Sequence, residues 1–352
     1  MHARDLNWVP PFRRDVGLLL SRTKNPFFEH GEAEYFLAHR GARAVGRIAA
    51  ITNRLHNERH QDRVGFFGFF EAEDQEATDE LFREAGDWLR ARGFDRIRGP
   101  ASFSVNDEYG LLVEGFDTPN TIMMPHNPAS YPDLVVQAGF TGVKNLIVYQ
   151  AGDPNEYWKQ PERIVRAVAL SRERYGITVR SLRMADFKHE VDHIKALYNR
   201  CWEDNWGAVP MTDHEIDHLA EQFKPVVIPE LVPFAEKDGR PVGFGLALPD
   251  FNEVLRTNRR GRMFPAAIKL LWALKRKKMK RCRILLLGVL PEFRSKGVDA
   301  ILYQWIWEHA FARNISWGEG GWILEDNPAM NQGLLKLGMT PYKTYRVYER
   351  AL

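Results

Sequence analysis

Two stretches of this 352-residue chain, nearly two hundred positions apart, follow the same outline, and such a repeat restricts the possible folds more than any single motif. Asn127 to Ala129 read NPA, and so do Asn327 to Ala329. A short helical stretch follows each, then a matching tail: GFTGVKNLIVYQ from Gly139 and GMTPYKTYRVYE from Gly338. Gly139 and Gly338, Thr141 and Thr340, Lys144 and Lys343, Val148 and Val347, and Tyr149 and Tyr348 coincide in register. The chain therefore reads as a tandem pair of related lobes, over 1–150 and 177–352, joined by a linker helix within 151–176. Its length also suits a duplicated body.

Periodicity and turn residues sketch both lobes. In the first, Glu34 to Thr52 reads as a hairpin around Arg40-Gly41, Arg63 to Phe70 as a strand, and Ala77 to Arg92 as the major helix. Pro161 to Tyr175 reads as an amphipathic linker helix, and in the second lobe Ile177 to Leu182 reads as a strand. Helices follow over Phe187 to Trp202 and Asp213 to Phe223, with Thr212 and Asp213 as caps. Leu231 to Ala235 and Val242 to Leu248 flank Asp238-Gly239, a hairpin signal.

The most chemical stretch is RILLLGVLPEFRSKGVDA, from Arg283. Ile284 to Leu287 reads as a buried strand, and Val298, Ile301, Leu302 and Trp305 recur at helical spacing, which puts Ser295 to Val298 at a helix N-terminus. Free N–H groups, the positive dipole end, Arg294, Ser295, Lys296, Gly297 and Val298 are thereby expected around one bound phosphate. Gly288 suits a bulge in that strand. The first lobe has FFEAEDQEATDEL at the corresponding place; Glu71, Glu73, Asp74 and Glu76 there repel a diphosphate while complementing a helix dipole. The first lobe is expected to lack the anion site and to shape an acceptor pocket instead.

VLPEFRSKGVDA resembles the acyl-CoA-binding motif of the GNAT acyltransferase superfamily, a strand leading into an R-x-x-G-x-G/A turn. GWILEDNPAMNQGLLKLGM, from Gly321, resembles the next strand, helix and Gly-aromatic turn, with Asn327 at the family's Asn and Gly338-Met339 at its Gly-Phe. The resemblance implies an α+β, three-layer α/β fold of two tandem GNAT-like lobes, each a mixed, mostly antiparallel sheet flanked by helices. It also implies acyl-CoA as cosubstrate, held by Val289, Leu290, the Arg294–Val298 turn and Asn327, with a backbone N–H near Val289 or Leu290 polarising the thioester. An acyl carrier protein would present the same pantetheine arm. Two positions depart from the pattern: Asp299 stands where the family has Gly or Ala, and the family's Tyr acid falls on Leu334.

RGPASFSVNDEYGLLVEGFDTPNTIMMPHNP, CWEDNWGAVPM and residues 256–283 further resemble the bacterial ceramide synthase group of tandem GNAT proteins. That likeness implies acylation of the primary amine of a sphingoid long-chain base. A GNAT N-acetyltransferase of a small amine or peptide, and a non-catalytic CoA or lipid binder, remain as alternatives. The acceptor amine must lose a proton, so a base is required. Glu325 closes the second lobe's core strand beside Asn327, and His126 stands at the pseudo-equivalent place beside Asn127. The polar loop Asn106-Asp107-Glu108-Tyr109 is a further candidate for holding the amine, through Asn106 and Glu108.

Charge is distributed unevenly. Residues 256–283, RTNRRGRMFPAAIKLLWALKRKKMKRCR, hold twelve Lys or Arg and no Asp or Glu, so the net charge of +3 hides a negative remainder. Met263 to Leu274 is apolar apart from Lys269, with Phe264, Ile268, Leu271 and Trp272 along a helical face. This pattern suits an anionic membrane surface, where polybasic segments gain about 1 kcal/mol per charge; a helix packed on the body with a solvated basic end is the plain alternative. Few aromatics interleave with the charges, which argues against nucleic acid. Cys201 and Cys282 are too few for a disulfide framework or zinc cluster, and no metal is expected. No run reaches the roughly 18 apolar residues of a membrane span, and MHARDLNWVPPF lacks a signal core. A cytoplasmic protein, peripheral at the inner membrane face, is expected.

Overall fold

The computed structural model of the chain describes residues 5–153 and 160–352. Residues 154–159 of the expected linker, and residues 1–4, lie outside the described residues. The first half runs α1 (Arg13–Leu19), β1 (Gly31–Arg40), β2 (Arg43–Asn53), α2 (Arg54–His60), β3 (Val64–Ala72), α3 (Gln75–Arg90) and β4 (Arg96–Gly99). The short strands β5 (Ala101–Ser102), β6 (Glu108–Tyr109) and β7 (Leu111–Glu114) follow, then α4 (Tyr131–Gln137) and β8 (Thr141–Gly152). The second half runs α5 (Glu162–Tyr175), β9 (Ile177–Ser181), α6 (Phe187–Trp202), α7 (Asp213–Phe223), β10 (Pro233–Lys237), β11 (Arg240–Pro249), α8 (Asn252–Leu255) and α9 (Ala266–Lys275). It closes with β12 (Arg281–Val289), α10 (Val298–Phe311), β13 (Trp317–Leu324), α11 (Pro328–Lys336) and β14 (Thr340–Ala351).

Local signals explain many of these boundaries. Asp238 and Gly239 take φ of 51° and 75°, the left-handed pair that a tight hairpin needs, and join β10 to β11. Thr212 and Glu215 form a capping box that starts α7. Along α3, Leu81, Phe82, Ala85 and Leu89 recur on one face and are fully buried against β1 to β3.

Twelve strands form one continuous sheet in the order β1-β2-β3-β4-β14-β8-β13-β12-β11-β10-β9, with β7 attached to β14, and β5 and β6 pair as a separate two-stranded sheet. Its pairs are antiparallel except β3–β4 and β12–β13. Helices cover both faces of the second half: Gly245 leaves room for Ile306 of α10, while the adjacent Phe244 meets Trp202 of α6 on the other side. The fold is α+β.

The last strand of each half crosses to the other. β8 pairs with β13 and β14, and β14 pairs with β4 and β8, so each half completes the sheet of its partner. Along the β8–β14 ladder Lys343 faces Val148 and Lys144 faces Val347; Thr340 faces Gln150 and Glu349 faces Thr141. Residues matched by the repeat thus exchange partners about Leu146 and Tyr345, which face each other and are wholly buried. Even the irregularities match, the ladder skipping Val143 on one strand and Tyr342 on the other. This self-complementary pairing is what a two-fold axis imposes on a strand pair.

One expectation is corrected. The bulge in β12 falls at Leu285, between the pairs Leu246–Leu286 and Ala247–Ile284, rather than at Gly288. Gly288 is glycine for a packing reason, since a Cβ there would lie 2.7 Å from the Trp202 ring and 2.9 Å from Cys201 Cβ.

Residues 160–352 produced alone would leave β13 with a bare edge where β8 pairs and β14 without any of its partners β4, β7 and β8. Such a fragment is expected to aggregate and to become soluble when co-produced with residues 5–152, as read by size-exclusion chromatography. A soluble, cooperatively folding solitary fragment would contradict the exchange.

Candidate active site

The sheet opens between β12 and β13. Their parallel ladder covers only Arg281–Ile284 against Trp317–Gly320. Beyond it the Leu285 bulge redirects one strand, and β13 skips Gly321 and Trp322 before rejoining β8 at Ile323. Leu285, Leu286, Leu287, Trp322 and Ile323 remain partly exposed although they lie in the middle of the sheet. The two strands part there and leave a wedge between them.

The turn that follows β12 faces this wedge. Pro291–Phe293 form one helical turn, and Ser295 and Gly297 then take φ of 64° and 71°. Two left-handed residues in so short a turn make the backbone concave, the form of an anion-binding nest. Gly297 is also the N-cap of α10 and supplies no side-chain cap, so the first N–H groups from Val298 onward remain for an anion. A Cβ at Gly297 would lie 2.8 Å from Ser171 of α5. Lys296 lies over the Phe293 ring at 4.5 Å. Arg294 is drawn onto the end of α6, donating to the Cys201 carbonyl at 2.9 Å with Asp204 at 3.6 Å. Asp299 lies in the first turn of α10. The residues fit an acyl-CoA: the nest and Lys296 would hold its diphosphate, and the wedge its pantetheine arm.

The two backbone donors expected at the thioester differ. The Leu290 N–H is taken by the Val242 carbonyl at 2.9 Å and cannot polarise a substrate. Alternation along the strand turns the Val289 N–H away from β11, toward the wedge. Asn327 caps α11 through the Met330 N–H. Leu334 is buried against Tyr303 and Met339, with no polar group to offer.

The equivalent place in the first half is closed. β3 and β4 pair at Val64–Phe66 and Arg96–Arg98, but Ala101 to Phe103 then fill the gap. Phe103 stacks on Phe27 at 4.7 Å and meets Phe69 at 5.0 Å, and a Cβ on Gly68 would strike the Ala101 carbonyl at 2.0 Å. All four acids of the turn are neutralised from the neighbouring hairpin: Arg40 reaches Asp74 (3.0 Å) and Glu76 (2.6 Å), Arg43 reaches Glu73 (2.6 Å), and Arg47 reaches Glu71 (3.6 Å). Asp74 caps α3 through the Ala77 N–H, occupying the spot an anion would take.

The candidate bases are not brought together. Glu325 accepts the Asn145 backbone and side-chain N–H groups at 3.0 and 2.8 Å, a clamp between β8 and the end of β13. His126 is buried and bonded to Asp5 at 2.7 Å. Asn106 donates to the Val209 carbonyl and accepts from Tyr198, holding the end of α6. Asp107 accepts from the Phe103 N–H and from Ser104, and burial lifts its carboxyl to about 6. Glu108 differs from these. Its side chain is exposed; desolvation by the surrounding protein and the Asp107 charge raise its pKa, against the pull of Arg283 and Arg47. Tyr109, the next residue, has its ring 6.2 Å from that of Trp322, at the wedge.

Sequence reading missed a buried polar group at the wedge root. Arg283 pairs with Glu319 at 3.2 Å and donates to the Ile122 carbonyl at 2.6 Å and the Gly321 carbonyl at 3.1 Å. Glu319 also accepts from Thr121 at 2.6 Å and from Tyr342. Nearby, Lys343 donates to the Gly115 and Thr118 carbonyls, and burial depresses it to about 8. Isolated charges inside CRILLL and WGEGGW were the available signal.

The model of the Acetyltransferase (GNAT) family matches residues 191–338, the half that holds the open wedge. A bacterial ceramide synthase from Caulobacter vibrioides is 38% identical over 100% of this chain and 92% of its own length. This chain belongs to the GNAT family. Protein YghO of Escherichia coli is 34% identical over 100% of this chain and 90% of that protein. Among solved structures, a tandem GNAT protein from the clavulanic acid biosynthesis pathway shares the fold at a TM-score of 0.53 and 11% identity, covering 93% of this chain and 84% of that one. The protein is therefore an acyltransferase of tandem GNAT architecture, with an acyl-CoA donor and an amine acceptor. Among the described residues no group of three His, Cys, Asp or Glu side chains is placed to hold a metal. No helix there is long and apolar enough to cross a membrane.

Gly297→Val adds a branched side chain at positive φ and against Ser171. Its affinity for acyl-CoA should fall at least tenfold by titration calorimetry, with the fold retained; unchanged affinity would contradict the nest. Arg283→Ala leaves Glu319 buried without its cation, a change that costs about 3–5 kcal/mol, seen as a lower urea midpoint.

Proposed function

We propose that this enzyme transfers a fatty acyl group from acyl-CoA to the primary amine of a sphingoid long-chain base, with Glu108 as the general base. The likeness to a bacterial ceramide synthase carries the reading, because it spans this chain from end to end and so includes the acceptor half, well beyond the family match over 191–338. The partly buried aromatics Phe69, Phe116, Trp206 and Trp322 around that half supply the apolar wall that a long-chain amine requires. Division of labour follows: residues 177–352 grip the donor, and residues 1–150 shape the acceptor pocket. Such an enzyme works at the cytoplasmic face of the membrane, where its lipid amine resides.

The donor supplies an activated thioester, and this chain supplies three things. The wedge aligns the carbonyl, as Gly297, Val298 and Lys296 hold the charged end of the carrier. The Val289 N–H faces the carbonyl oxygen as negative charge develops on it. Glu108 removes the proton of an amine whose pKa lies near 10, which an elevated carboxyl does better than an ordinary one. The leaving thiol has a pKa of about 8.5 and departs as thiolate, so Leu334 in place of a Tyr acid does not stop the reaction.

Purified enzyme given fatty acyl-CoAs, acetyl-CoA and an acyl carrier protein donor, each with sphingoid and small amines, should yield an N-acyl sphingoid base by mass spectrometry. Acylation of small amines alone would contradict the proposal. Glu108→Gln should lower kcat by about 10²- to 10⁴-fold with donor affinity unchanged. Because the working form is the carboxylate, and desolvation by the surrounding protein with the Asp107 charge raises its pKa, wild-type kcat/KM should rise with pH through an apparent pKa above the usual Glu value of about 4.3, a limb absent from Glu108→Gln. Full activity in that variant would remove Glu108 from the chemistry.

A further inference from the structure

Helix α9 is mounted with its large apolar side chains outward. Ala266, Leu270 and Ala273 are buried, at spacings of four and three residues. Ile268, Leu271 and Trp272 occupy the opposite face and are 60%, 53% and 52% exposed, and Phe264 just before the helix is 69% exposed. An ordinary surface helix of a water-soluble body does the reverse, turning its bulky apolar stripe to the core. The apolar group here is contiguous, which marks an interaction site in a way that scattered exposed residues do not.

The mounting is firm. Arg259 donates to the Trp8 and Asp5 carbonyls at 2.5 and 2.6 Å, Arg13 donates its N–H to the Gly261 carbonyl, and Val9, Leu255 and Ala266 form a small core beneath. Of the twelve basic residues in 256–283, three are tied to the body of the fold, Arg259 in this clamp, Arg281 over the Trp317 ring at 3.8 Å and Arg283 at the wedge root, while Lys278 lies over the Trp272 ring of the same outward face at 5.1 Å. The other nine, Arg256, Arg260, Arg262, Lys269, Lys275, Arg276, Lys277, Lys278 and Lys280, are exposed, and no acid interrupts them in this stretch.

We infer that this face docks on an anionic lipid bilayer, Phe264, Ile268, Leu271 and Trp272 entering the acyl boundary while the surrounding Lys and Arg meet lipid headgroups. Ten residues span about 15 Å, too short to cross, so the helix lies in the interface plane. A second copy of this chain does not suit the surface, because a two-fold contact would press one cationic rim against an identical one. The inference gives the lipid-amine reading its meeting place, but docking is read without turnover.

The test is co-sedimentation of the full-length protein with phosphatidylcholine vesicles, with and without phosphatidylglycerol. The protein should bind only vesicles containing phosphatidylglycerol and be released as salt rises. Ile268→Ser with Leu271→Ser, and separately Lys275, Arg276, Lys277 and Lys278 all changed to Gln, should each weaken binding at least about tenfold while acyl-CoA affinity is kept. Absence of binding to the anionic vesicles, binding untouched by both variants, or a dimer in solution that the serine variant dissolves would each overturn the inference. Vesicle binding without sphingoid acylation would leave docking standing and remove the acceptor assignment.

Discussion

The antiparallel pairing of β8 with β14 is the contact on which the molecule depends. Among the described residues it is the only ladder in which both strands are the closing strand of a half, and its register maps onto itself about Leu146 and Tyr345. Edge strands are normally a hazard, and each half here covers the edge of the other. The exchange also puts β8 against β13, so the second half's donor wedge is bounded by a strand from the first. The two halves are therefore parts of one sheet, and the root of the wedge is pinned by residues from both, with Ile122 and Thr121 bonded to Arg283 and Glu319.

Within that symmetric frame the chemistry is one-sided. Both halves break the ladder between their parallel strands at the same level, but only one break stays open. In the first, Phe103 and its ring partners fill the gap and Asp74 caps the helix. In the second, Gly297 leaves α10 without a side-chain cap, and Leu285 to Leu287 stay partly exposed. The first half's break is packed shut, and its acids are matched by arginines from the adjoining hairpin.

Legibility in the sequence follows the range of the interaction. α6 and α7 were readable to the residue because Thr212, Glu215 and the helical period act locally. The Asp238-Gly239 turn and the α10 nest were readable for the same reason. The strand exchange was not, since the repeat marks β8 and β14 as equivalent without stating that they pair. Glu325 is a candidate base by sequence, but Asn145, 180 residues away, occupies it in the fold. Leu290 looked available until β11 claimed its N–H. Glu108 stands in a polar loop no different from its neighbours; the fold separates them by satisfying Asn106 and Asp107 internally while Glu108 stays exposed.

The most direct measurement is the position of a bound acyl-CoA in a crystal structure of the full chain. The account requires density for the diphosphate at Ser295 to Val298, with the pantetheine arm running between β12 and β13 past the Leu285 bulge toward Glu108. Density at the Glu71–Glu76 corner, or a carrier lying outside the wedge, would contradict it.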